Sequence, residues 1–323
     1  MSNVQKSPFG ITSDSSGNIY VAGVTLGKFE GNNNSGYWDI FLTKYDSLGK
    51  NIWTVQSGSY YADMVTRATA DSSGNIYITG GTEGGIDGNT NSGSFDLFII
   101  KYNSSGIKQW TQQLGTDTFD AANAIATDAL GNIFVTGLTL GNLDGNSSLG
   151  GNDIFLINYD SSGTKQWTQQ LGTSGYETGR GVTVDSSDNI YVTGYTSGDL
   201  DNNTNSGNSD IFLVKYNSSG TKQWTQQLGT SSNDFSRSVT IDSTDNIYVT
   251  GLTYGGLDGN TNSGSADIYL MKYNTSGTKQ WIIQLGTSSF DNGYGVAVDS
   301  SDNIYVTGYT EGGLDGNTNS GSY

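Results

Sequence analysis

The 323-residue chain carries 31 acidic against 14 basic side chains, no histidine and no cysteine, for a net charge of −17. So negative a surface repels phosphate backbones and excludes nucleic-acid binding. The missing residue types exclude Ser-His-Asp and Cys-His catalysis, most zinc sites and disulfides. No run approaches the ~20 apolar residues of a membrane helix, so membrane insertion is not expected.

Self-similarity at a fixed period precedes every other reading. The asparagine of an Asn-Ile-Tyr/Phe element recurs every 57 residues, at Asn18, Asn75, Asn132, Asn189, Asn246 and Asn303. An aspartate opening an apolar run recurs at Asp39, Asp96, Asp153, Asp210 and Asp267, and a tryptophan at Trp53, Trp110, Trp167, Trp224 and Trp281. Each unit reads as four short strands rich in β-branched and aromatic residues. In the fourth copy they are Gly181–Asp185, Asn189–Gly194, Asp210–Tyr216 and Thr221–Leu228. Asx- and Gly-type turns separate the first strand from the second and the third from the fourth.

The third strand decides the architecture. Ile211 to Val214 and Leu97 to Ile100 are unbroken apolar runs. A strand with one wet face alternates, so a continuous run means cover on both faces. Four-stranded antiparallel sheets covered on both faces and repeated in series describe an all-β propeller. The blades span 8–58, 65–115, 122–172, 179–229 and 236–286, with a half-blade over 293–323. We read residues 1–323 as one domain. The incomplete sixth blade marks a fragment of a longer chain, with an open ring edge through which two chains can pair.

The run Gly-Val-Ala-Val-Asp followed by Asn-Ile-Tyr-Val-Thr-Gly at 295–308, the Asp-Ile-Phe-Leu-Val-Lys-Tyr of 210–216, and the Trp and Leu-Gly that follow resemble the bacterial SBBP β-propeller repeat family. The resemblance covers essentially the whole chain. It implies the fold and an exported or surface-attached bacterial protein, and it says little about activity. Met1 to Pro8 hold no apolar core of a signal peptide.

The loops between the second and third strands are the first candidate site. Asp87, Asn89 and Asn91 stand at alternate positions, with the Gly93 carbonyl between them and Asp96. Asp201, Asn203, Asn205, Gly207 and Asp210 repeat the set, as do Asp258, Asn260, Asn262, Gly264 and Asp267. Calcium takes six to eight hard oxygens, which such a loop supplies at weak affinity, on the order of 10⁻⁴ to 10⁻³ M. The alternative is an Asx-turn loop whose side chains bond their own backbone. A second recurrent acid, at Asp63, Asp120, Glu177, Asp234 and Asp291, lies before each next first strand. It adds to an acidic face or caps a turn. The tryptophans of the fourth strands stack on sugars or pack between blades.

Every carboxylate recurs in each blade and none is singled out, so no catalytic residue is assigned. The expected function is a non-enzymatic, extracellular or cell-surface module presenting acidic Asp/Asn/Gly loops to a protein or glycan. A multivalent lectin-like propeller is the alternative; a glycosidase or lyase, or a plain spacer, ranks below both.

Overall fold

The computed structural model describes residues 5–321, which group into two compact units divided near residue 172, with 149–151 belonging to the second. The first unit holds three four-stranded antiparallel sheets in the order first-second-third-fourth. In the first blade the strands are Lys6–Ser13, Ile19–Thr25, Asp39–Tyr45 and Asn51–Ser57. The second unit holds two such sheets and a two-stranded sheet, Asp291–Val298 with Ile304–Thr310. None of the described helices is long and apolar enough to cross a membrane.

The apolar runs do what their pattern requires. Leu97, Phe98, Ile99 and Ile100 are fully buried, and Ile211 to Val214 nearly so. Within each unit the cover comes from neighbouring blades. Second-strand Ile76 and Ile78 share a cluster with Tyr20, Val24 and Leu42 of the preceding blade. Second-strand Ile247 and Val249 share another with Tyr191, Ile211 and Leu213. The counter-example is the sixth repeat, where Tyr305 is 55% exposed while its counterpart Tyr248 is 3% exposed.

One element differs from the sequence pattern. The first strand of the fourth blade runs Glu177–Val184, four residues earlier than its apolar alternation indicates. The register shifts between Gly179 and Gly181, so Arg180 is an inserted bulge residue that interrupts the period of two. The same shift occurs in every first strand, at Phe9, Thr66, Asn123, Arg237 and Tyr294. A bulge re-aims the side chain it carries and sharpens the local twist.

The hairpins between first and second strands are locked by one aspartate each. Asp71 Oδ1 accepts the backbone N–H of Ser73 and Asn75, while Oδ2 accepts Asn75 Nδ2 and the Tyr77 hydroxyl, at 2.8–2.9 Å. Asp185 and Asp242 repeat the set. In the second unit successive hairpins are tied together: Ser186 Oγ donates to Asp245 and Ser243 Oγ to Asp302.

Candidate functional site

The Asp/Asn loops are built before they are acidic. Each begins with a buried apolar plug (Ile86, Leu200 or Leu257, all fully buried), followed by an aspartate in the left-handed region. Asp87 adopts φ 55° and Gly88 φ 84°, a pair of conformations that Asp tolerates and Gly favours. The turn sends the Asp87 carboxylate back onto the fourth strand of its own blade. There Lys108 Nζ meets Oδ1 at 2.5 Å and Thr111 Oγ1 donates to Oδ2. Asp201 pairs with Lys222 and Thr225, and Asp258 with Lys279 at 2.6 Å.

The other residues read as calcium ligands also have partners in the protein. Asn89, Asn203 and Asn260 donate through Nδ2 to the carbonyls of Ile86, Leu200 and Leu257. Asn91, Asn205 and Asn262 accept the N–H of Gly93, Gly207 and Gly264. Asp96, Asp210 and Asp267 are fully buried, each accepting a loop N–H and a glutamine amide on Oδ2. Asp87 is held by Lys108 and Thr111 while Asp96 is held by Gln113, so the structure anchors the two carboxylates at different points of one strand. Among the described residues no three acidic side chains gather at one point.

The second recurrent acid is not at the surface. Asp63, Asp120, Asp234 and Asp291 each open a first strand and are fully buried. Asp63 accepts the Ser59 N–H at 2.6 Å and the Thr82 hydroxyl at 2.5 Å. Its partner is the third-strand acid of the preceding blade: Asp39 Oδ1 and Asp63 Oδ2 both lie 2.7 Å from the point a Cβ on Gly58 would occupy. Burial, reinforced by the charge of Asp39, pushes the Asp63 carboxyl up to about 6 against the hydrogen bonds that oppose it. These acids clamp the blade junction around an obligatory glycine and are withdrawn from any acidic face.

The tryptophans are covered as well. A Cβ on Gly106 would sit 3.0 Å from the Trp53 ring, and one on Gly277 3.0 Å from Trp224, so these two indoles lie against the next blade's turn. Each tryptophan also packs on an aromatic ring of its own blade, Tyr20 with Trp53 at 5.9 Å between centroids and Phe134 with Trp167 at 6.1 Å.

The blades diverge on their first strands, at a bulge that the sequence pattern of one copy does not mark. The bulge position holds Phe9, Thr66, Asn123, Arg180, Arg237 and Tyr294 in turn, and the chain's three arginines, Arg67, Arg180 and Arg237, all lie on first strands. Divergence between aligned copies was the available signal. In the second unit the bulges of adjacent blades stand side by side: a Cβ on Gly181 would meet the Val239 backbone nitrogen at 3.1 Å. The Arg180 guanidinium lies over Tyr195, 5.7 Å from the ring centroid, and that of Arg237 over Tyr294 at 5.8 Å. Tyr195 meets Phe235 of the next blade edge-on at 4.8 Å. Both arginine Nε atoms are buried and have no hydrogen-bond partner.

These features define a protein of serially repeated, four-stranded propeller-type blades with a variable first strand. The beta-propeller repeat SBBP matches residues 2–30, 109–144, 166–201, 223–258 and 280–315, and the chain belongs to that family. It is 27% identical over 80% of its length to an uncharacterized WD repeat-containing protein of Acanthamoeba polyphaga mimivirus, covering 24% of that protein. It is 24% identical over 66% of its length to the regulatory protein FlaEY of Caulobacter vibrioides, covering 26%. The chain thus spans about a quarter of each of these relatives. Among solved structures, a luciferin-regenerating enzyme is similar at 11% identity and TM-score 0.48, over 93% of this chain and 83% of that one. A gluconolactonase from Xanthomonas campestris is similar at 9% and 0.48, over 93% and 82%.

Proposed function

We propose that the chain is a non-enzymatic binding module in which the repeats form a β-propeller and the ligand is met by the first strands. One observation carries the reading: the copies keep the same or closely related residues at hairpins and junctions and diverge in size and charge at the bulge of the first strand. A fold needs constancy at its turns and junctions, whereas a single ligand needs differences among otherwise equivalent positions. The loops and the tryptophans are occupied by contacts within the protein, which directs recognition away from them.

The test pairs a glycan and small-molecule binding array with a turnover screen for lactone, glycoside and ester hydrolysis. A ligand lost on Tyr294→Ala, with the melting temperature kept and no turnover, is the expected outcome. Turnover that survives purification, or a ligand indifferent to every bulge substitution, would refute the reading.

A further inference from the structure

We propose that Arg180 and Arg237, framed by Tyr195 and Tyr294, form a binding site for a compact oxyanion (carboxylate, sulfate or phosphate) carried by the ligand of the module. The inference rests on the binding reading above and names the chemistry of its ligand.

The first ground is charge pairing. In a chain of net charge −17 a cation readily finds a carboxylate. Lys108, Lys165, Lys222 and Lys279 pair with loop aspartates, and Lys215 and Lys272 approach the hairpin aspartates at 4.0 and 3.6 Å. Lys44 and Lys101 have no carboxylate but donate to the carbonyls of Ser104 and Ser161. Among the described residues Arg180 and Arg237 enter no ion pair, although both are half-buried, and their Nε atoms have no acceptor. A desolvated cation without a counter-charge costs free energy, and a second beside it costs more. An anion set between the two offsets both terms.

The second ground is geometry. The two bulges place the guanidinium groups on adjacent strands, each lying over a tyrosine ring. A guanidinium packed beside a ring can still present its edge, and arginine takes an oxyanion with two parallel hydrogen bonds from that edge. Nε, one of those edge donors on each residue, has no partner. Both charges bear on one place. Although desolvation raises the Tyr195 hydroxyl, contacts with Thr178 and Arg180 and the charges of both arginines bring it below the ordinary tyrosine value. Desolvation and then the charge of Arg180 lower Arg237 in turn.

The third ground is scale. Two arginines within so acidic a protein fit one or two oxyanion groups, whereas a phosphate chain would meet the acidic surround. Tyr294, 47% exposed, offers a flat face beside the charge for the ring of a saccharide or aromatic ligand.

Titration calorimetry with sodium sulfate, sodium phosphate and sodium glucuronate, at ionic strength matched with chloride, tests the site. At least one probe is expected to bind saturably, with affinity reduced tenfold or more by Arg180→Gln and by Arg237→Gln and unchanged by Lys108→Gln. The order of the three probes assigns the natural oxyanion. Circular dichroism and the melting temperature confirm that the variants fold. No binding beyond the chloride control, or equal binding by the double variant, overturns the inference. An array ligand lost on Tyr294→Ala but kept by both arginine variants would overturn it while leaving the module reading intact.

Discussion

The hairpin and junction positions of each blade and the bulge of its first strand pass through the same duplications, yet they differ in kind. Asp71, Asp185 and Asp242 make one set of hydrogen bonds in blade after blade. Arg180 and Arg237 stand where other blades carry Thr66 or Asn123, and they have no counter-charge. The hairpin acids spend their hydrogen-bonding capacity inside the protein, whereas the Nε of each bulge arginine has capacity to spare. Substitutions at the two classes of position should therefore separate stability from binding.

The largest expected effect is at a junction glycine. On Gly229 a methyl would collide with the buried Asp210 carboxylate more closely than the 2.7 Å contact at Gly58. Neither the carboxylate nor the backbone can move without breaking the Gln227 and Ser206 hydrogen bonds. Gly229→Ala should destabilise by about 3 kcal/mol or more, as strain in a packed core does. A urea midpoint equal to wild type would remove the clamp argument.

Asp185→Ala comes next. It strands the Tyr191 hydroxyl and two backbone donors in a largely buried hairpin, and about 2–3 kcal/mol is expected. The hairpin acids also set a direction in pH. Asp299 is lowered to about 2, first by the Asn303 side chain. A group depressed on folding stabilises above its unfolded value near 3.8 and loses that contribution as pH falls toward 2. Asp63 runs the other way. Raised from 3.8 to about 6, it favours the fold while protonated and loses about 3 kcal/mol as pH rises from about 4 through 6. Asp63→Asn should flatten the stability profile between those pH values. A profile unchanged in that window would show that burial does not raise the Asp63 carboxyl in the folded protein.

Much of the architecture was legible because it depends on sterics repeated in each copy. The run Ile211 to Val214 specifies cover on both faces, and the Asp-Ser-Ser-Asp/Gly-Asn turns specify hairpins locked by their first aspartate. The bulge was not legible from one copy, since Thr-Gly-Arg-Gly at 178–181 has neither alternation nor turn chemistry. The loop acids were legible as residues but not as partners. Whether Asp87 faces solvent or Lys108 depends on the left-handed turn at 87–88, and a lysine 21 residues away gives no local sign of it. The same holds for Asp63, whose burial comes from the junction with the preceding blade.

That pairing supplies the next test, of smaller effect. If Asp87, Asp201 and Asp258 are neutralised by Lys108, Lys222 and Lys279, calcium competes against a preformed ion pair and against amides already bonded to the loop backbone. Melting in about 1–10 mM calcium, the range of weak extracellular sites, should match melting in chelator to within a degree or so. A calcium-dependent rise abolished by Asp258→Asn would return the loops to the functional surface.

The smallest expected effect bears hardest on the comparison. Replacing a hairpin aspartate removes satisfied contacts, but replacing Arg237 removes a half-buried cation that feels the charge of Arg180 and has no counter-charge. The loss of its packing over Tyr294, up to about 1 kcal/mol, is set against relief of like-charge repulsion and desolvation. Arg237→Gln should leave the urea midpoint within about 1 kcal/mol of wild type, or raise it. The shift should be largest at low salt, where repulsion is least screened, and fade as salt is added. A marked loss of stability would mean that the arginine serves the fold after all, and the divergence of the first strand would then reflect packing at each blade.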